Sequence, residues 1–266
     1  HGAGRLDLAQ AIAAPTNPLT ARVWVNRVWM HHFGEPLVEN PSDFGLQAKR
    51  PTQLDLLDYL AAYLIEHGWR TKPLHELIMT SRAYQRASRV PDTDAMAAQR
   101  RLDPTNALLW RGQRRRLDLE QMRDTLLAVT GELDETMYGR PLAITDDTNR
   151  RRTLYAFVER QNIPPIVQTF DFANADTSTP RRPLTTVPQQ ALFALNSPFM
   201  LARADALAKR LTPLAAADRV PRLFQLALGR APTATELAQC QEFLATSTLE
   251  NLAQVMLMTN ELMFVD

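Results

Sequence analysis

Residues 53–68 read QLDLLDYLAAYLIEHG, and this stretch decides the fold class. Leu54, Leu57, Leu60, Ala61, Leu64 and Ile65 recur at spacings of three and four, which puts them on one face of a helix; a half-buried strand would alternate instead. Gly68 supplies the stop signal. The same pattern extends in both directions along the chain. Leu6, Leu8, Ala9, Ile12 and Ala13 make a short helix stopped by Pro15. Asn17 and Pro18 are an N-cap followed by a first-turn proline, and Val23, Trp24, Val28, Trp29 and Phe33 follow before Gly34 closes the helix. Pro73-Leu74 opens a helix carrying Leu77, Ile78 and Tyr84. A polar segment, 89–105, has room for one short helix. Leu117 to Glu120 begins a helix ended by Gly131. Asn196-Ser197-Pro198 repeats the cap-then-proline signal before Phe199–Leu211. Val220–Leu228 is ended by Gly229. Thr233 and Glu236 fit a capping box, and a last helix runs over about 249–264, with Met256, Met258 and Met263 read as core. The expectation is a mainly α, multi-helix globular bundle of about ten helices with long loops and at most a small β-hairpin or short strand pair.

Between the helical halves the composition changes. Residues 133–152 are rich in Gly, Pro, Asp and Thr, and Leu154–Val158 is the single strand candidate. Residues 161–188 carry five prolines and read as a long loop; loops above roughly 12–15 residues in compact domains are often functional. The organisation expected is an N-terminal helical half (1–132), a proline-rich region packed on the rest (133–196) and a C-terminal helical half (197–266), all compatible with one domain.

The 266 residues hold 30 basic and 29 acidic side chains, a net charge of +1. This balance creates no global field for nucleic acid or anionic membrane, and no apolar run reaches the roughly 18 residues of a membrane span. Neither a nucleic-acid partner nor membrane insertion is expected. All but Lys49, Lys72 and Lys209 of the basic residues are arginine, so structural Arg–carboxylate pairs are expected. Cys240 is the single cysteine, which excludes an intrachain disulfide and a cysteine-based metal site. No cofactor or metal is expected in this chain. His75-Glu76 begins like H-E-x-x-H, but Met79 breaks the motif. Asp43-Phe44-Gly45 has none of the companions of a kinase.

Two polar groupings remain as binding candidates. Asn26, Arg27, His31 and His32 lie on or near one helix; with Asp43 they form either a site for an anionic ligand or metal, or a structural cluster tied to the following loop. The better candidate is 170–196, which concentrates Asp171, Asn174, Asp176, Arg181, Arg182, Thr185, Thr186 and Gln190 on a proline-stiffened stretch. These side chains either bind a sugar, a carboxylate or a neighbouring domain, or fasten the loop through Asp–Arg pairs. The basic runs Arg111–Arg116 and Arg150–Arg152 read as structural pairing to Glu120, Asp118 or loop carboxylates.

Several phrases taken together carry a family resemblance: Asn17-Pro18-Leu19-Thr20-Ala21-Arg22-Val23, Val25-Asn26-Arg27-Val28-Trp29, Phe33-Gly34, Pro41-x-Asp43-Phe44-Gly45, Leu56-Leu57-Asp58, Arg115-Arg116-Leu117, Arg123-Asp124, Phe170-Asp171-Phe172, Thr185-Thr186-Val187-Pro188 and Leu228-Gly229-Arg230. The string resembles the planctomycete cytochrome-associated C-terminal domain, a family of unknown function, over nearly the whole chain. Where that family tends to show His-Pro before the Leu-Leu-Asp helix, Gln53-Leu54 stands here. The resemblance implies a C-terminal module of a large exported, extracytoplasmic bacterial protein, with a c-type haem only in an upstream domain. Upstream domains are the implied partners, with carbohydrate or another polymer as a further one. Two roles follow: assistance in domain packing and ligand or polymer binding, or a share in an active site for extracytoplasmic polysaccharide or polymer degradation coupled to redox partners. A packing module should show an apolar patch without a deep polar cleft; a catalytic one should show loop carboxylates or arginines converging in a pocket.

Overall fold

The computed structural model describes residues 4–265, and the chain divides into two compact units, one up to Arg115 and one over Arg116–Val265. The division falls within the N-terminal half read as 1–132, and the region 133–196 lies wholly inside the second unit.

The first unit is built on α2 (Pro18–Phe33), α3 (Leu54–Glu66) and α4 (Thr71–Met79), preceded by α1 (Arg5–Ala13) and followed by α5 (Asp94–Leu102). The side chain of Asn17 accepts from the amide of Leu19, and Gly34 ends α2 at φ 81. A side chain is barred at Gly34, because a Cβ there would lie 2.7 Å from Cδ of Arg115. Val25, Val28, Trp29 and Phe33 of α2 close on Leu57, Leu60 and Leu64 of α3 and on Leu74 and Ile78 of α4. The apolar stripe of residues 53–68 thus does what its spacing requires. Two details differ from expectation. Helix α4 begins at Thr71, with Pro73 inside its first turn, and it ends at Met79, leaving Tyr84 outside. The chain turns there because the hydroxyls of Thr80 and Ser81 donate back to the carbonyls of Glu76 and Ile78, competing with helix propagation.

The short strand β1 (Arg115–Arg116) spans the point of division and pairs with β2 (Phe264–Val265). The helices of the second unit are α6 (Leu119–Thr130), α7 (Pro165–Thr169), α8 (Pro188–Asn196), α9 (Pro198–Leu211), α10 (Ala216–Leu228), α11 (Ala234–Thr246), α12 (Leu249–Leu257) and α13 (Asn260–Met263). Helix α9 is central and packs along α12, α6 and α8. Ala204, Ala208 and Ala253 are buried with Leu207 and Leu211, and such small residues let two helices approach closely. The capping box is present at Thr233 and Glu236, and a second one joins Asp118 to Gln121 at the start of α6.

The architecture is mainly α, but three sequence expectations are corrected. Leu154–Val158 is not a strand. Thr153–Tyr155 form a short 3-10 turn, and only Ala156 makes an isolated bridge, to Leu142. The amide and hydroxyl of Thr153 both donate to Asp124, at 2.7 and 2.6 Å, and this anchor turns the chain. The stretch 161–188 is not all loop, since Pro164-Pro165 start α7. The last helix breaks after Leu257, where the amide and hydroxyl of Thr259 donate to the carbonyl of Met256, and α13 then runs into β2.

Candidate functional site

The proline-rich stretch is held in one shape by its own polar side chains. Just past the end of α7, Asp171 takes φ 59, a left-handed conformation that Asp tolerates better than most residues. From there its carboxylate accepts two hydrogen bonds from Thr185, from the amide at 2.8 Å and the hydroxyl at 2.7 Å. Arg116 backs this contact. Its Nη2 lies 3.5 Å from Asp171 Oδ2, and its Nη1 donates to the carbonyl of Thr185 and to Gln190 Oε1, both at 2.8 Å. Buried Gln190 completes the circuit by donating to the carbonyls of Thr169 and Thr185. The chain segments 169–171 and 185–190 are therefore clasped through one guanidinium and one amide.

Arg182 makes a second fastening. Its fork donates to both carboxylate oxygens of Glu120 at 2.8 and 2.9 Å, and its guanidinium lies 4.8 Å from the ring centre of Phe172. Bidentate pairing of this kind is geometrically specific, and the bonds to Glu120 push the Arg182 pKa up from its ordinary value. Asp176 instead sits at the surface beside Arg160, 3.2 Å away, and Asn174 bonds the amide of Asp176. Thr186 is exposed, and Arg181 has interactions of its own. The fastening alternative thus accounts for Asp171, Arg182 and Gln190. It does so with Arg116 and Glu120 in place of the Asp–Arg pairs that sequence neighbours suggested.

Asn26, Arg27 and Asp43 belong to the first unit, the loop residues to the second. Asn26 is fully buried and exchanges hydrogen bonds with the backbone of Val38. Asp43 is spent on a local turn, accepting from the amide of Gly45 at 2.9 Å. Arg27 stands exposed on α2. His32, a neighbour in that cluster, meets His75 with 2.7 Å between ring nitrogens, a pairing that residues 43 positions apart could not announce.

The second unit also contains a small apolar pocket of about 40 Å³ that opens to solvent. Leu119, Ile144, Phe157, Val158, Val167 and Phe172 line it, with Glu120 and Thr153 as polar members. Both polar groups are occupied: Glu120 by Arg182, Thr153 by Asp124 and by Arg123. Arg123 is 5% exposed and also donates to the carbonyls of Arg151 and Asn149. Burial pushes its pKa down. Behind it, Glu132 takes ion pairs from Arg150 at 3.1 Å and Arg203 at 2.9 Å. Arg123 thereby holds segment 149–153, whose Thr153 lines the pocket. The sequence reading missed the pocket, because its lining comes from four separated segments whose residues share no period. Exposed Phe157 and Val158, in a segment read as a strand, were the one available signal.

Among the described residues no group of three or more His, Cys, Asp or Glu side chains is placed to hold a metal ion. No described helix is long and apolar enough to cross a membrane. Burial pushes the Cys240 thiol up, which keeps it from acting as a ready nucleophile.

The model of one protein family, described as "PSD1: Protein of unknown function (DUF1553)", matches residues 4–244. No curated protein and no solved structure matches the chain.

Proposed function

The chain belongs to the PSD1 family of proteins of unknown function (DUF1553), and from that premise we propose that it is a helical packing module. It docks through the apolar pocket of its second unit onto a neighbouring domain of an exported, cytochrome-linked multidomain protein. The observation that carries this reading is the character of the pocket and its surroundings. Leu154, Phe157 and Val158 are 71%, 51% and 50% exposed beside a cavity whose polar members are already hydrogen-bonded within the chain. Large apolar side chains left exposed at and near an apolar pocket are what an interaction site requires. The arginines and carboxylates that a catalytic role would need free in the cleft are engaged in fastening: Asp171 holds Thr185, and Arg182 holds Glu120. The exported setting and the cytochrome link rest on the family resemblance of the quoted motifs.

The test is association of this chain with the separately produced remainder of its parent polypeptide. Phe157→Asp should weaken binding by about 2 kcal/mol, a factor of about 30, as expected for losing a central aromatic anchor. The stability of the chain itself should change by no more than about 0.5 kcal/mol, because the site is exposed. Unchanged association with the Phe157→Asp chain would contradict the docking role. Turnover of a polysaccharide by the isolated chain would favour the catalytic one.

A further inference from the structure

We infer that the His32–His75 contact in the first unit is an acid-sensitive latch, which fastens the end of α2 to α4 while at least one of the two imidazoles is neutral and lets go when both are protonated. This lies outside the docking role and in a different unit from the pocket. His32 sits in the last turn of α2 and His75 in the middle of α4. Their facing atoms, His32 Nε2 and His75 Nδ1, are 2.7 Å apart. At that distance one ring donates its N–H and the other accepts, which requires an unprotonated nitrogen on one of them. A second proton converts the hydrogen bond into two N–H groups pointing at each other. The latch also carries part of the local packing. The edge of Tyr84 meets the His32 ring at 5.4 Å between centres and meets Phe33 at 5.7 Å. Phe33 in turn stacks on Trp29 at 4.1 Å.

The surroundings oppose any added proton. Burial, His75 across the contact, Arg115 from the segment lying against Gly34, and His31 on α2 itself all push the His32 pKa below its ordinary value. The sign follows from linkage: a histidine that binds its proton less readily when folded stabilises the fold above the unfolded pKa, about 6.5. That contribution is lost as pH falls from there through the folded value. The expected consequence as pH falls through the lowered His32 value is separation of the α2 end from α4, with release of the Tyr84 turn, while the α2–α3 seam of Val25, Leu57 and Leu64 stays closed.

Two measurements on the whole chain, made with a chelator present so that no stray cation ties the rings, decide this. In a ring-proton NMR titration, His32 should titrate below 6.5, and the Tyr84 resonances should shift with the same midpoint. In hydrogen exchange corrected for intrinsic rate, protection of α4 amides should be lost between pH 7.5 and 5 while that of α3 is kept, because the lowered His32 pKa makes protonation of the pair costly to the folded contact. His32→Gln keeps a hydrogen-bonding group at the Nε2 position but does not titrate, so it should remove the extra loss in α4. The latch is overturned if Tyr84 ignores the His32 titration, if α4 and α3 lose protection in parallel, or if His32→Gln leaves the α4 response intact. Should His32→Gln fail to fold, the wild-type titration decides alone.

Discussion

Helix α9 and the stretch 161–190 lie in the same unit and are held by opposite means. Helix α9 is fixed by area. Met200, Leu207 and Leu211 are inaccessible to solvent, and each is one member of a shared apolar cluster that includes Leu126, Leu223 and Leu257. The stretch 161–190 contributes only Val167 to the buried part of that cluster. It is held by named polar atoms: Asp171 on Thr185, Arg116 on Gln190, Arg182 on Glu120. Apolar packing is redundant and grades its response to substitution. Polar clasps concentrate the response on single residues, because removing one partner leaves the others buried without their bond.

The sharpest test of that difference is Arg123→Met. Its guanidinium supplies three acceptors in segment 149–153 from a buried position, and breaking such an arrangement costs about 4 kcal/mol. Urea denaturation should show the loss, and a cost below that of a conservative core change would break the comparison. Leu207→Ala should follow at about 3 kcal/mol, within the range for emptying a buried leucine site, measured the same way. Asp171→Ala should cost about 2 kcal/mol by losing two hydrogen bonds to a carboxylate. Asp176→Ala, in the same stretch but paired only at the surface, should change stability by no more than about 0.5 kcal/mol. Equal effects of the two would show that the clasp is not where the structure puts it. The smallest effect concerns Glu236. Its carboxylate receives bonds from Arg230 and Thr233, which bring its pKa down to about 2. A depressed carboxylate contributes while ionised and loses that contribution only as pH falls through its folded value. Carbon-13 titration should therefore place the Glu236 midpoint near 2 and find the α11 cap intact at pH 3.

What could be read from sequence follows the same line. Gly34, Gly131 and Gly229 all take the left-handed conformation at the helix ends they were assigned, and Asn17, Ser197 and Thr233 cap as their spacing implies. These signals are local, each contained within four or five residues. Residues 154–158 show the limit. Leu154, Tyr155, Phe157 and Val158, interrupted only by Ala156, favour a strand, but the decisive bonds run from Thr153 to Asp124, 29 positions earlier. The stretch 170–190 was recognised as unusual from its prolines and polar residues, and fastening was one of its two readings. The partners were out of reach: Arg182 pairs across 62 positions and Gln190 across 74. The pocket is illegible in the sequence for the same reason, since Leu119, Ile144, Phe157 and Val167 are far apart along the chain and become neighbours only in the folded unit.

The Thr185 amide tests the account most directly, because its hydrogen goes to the Asp171 carboxylate at 2.8 Å and to no helix or sheet. Native-state hydrogen exchange should find this amide protected in the wild-type chain and unprotected in Asp171→Ala, with α9 and α12 protection unchanged. Exchange of Thr185 at the free-peptide rate in the wild type would mean that the stretch is not clasped, that its polar side chains are available to bind, and that the packing-module reading is wrong.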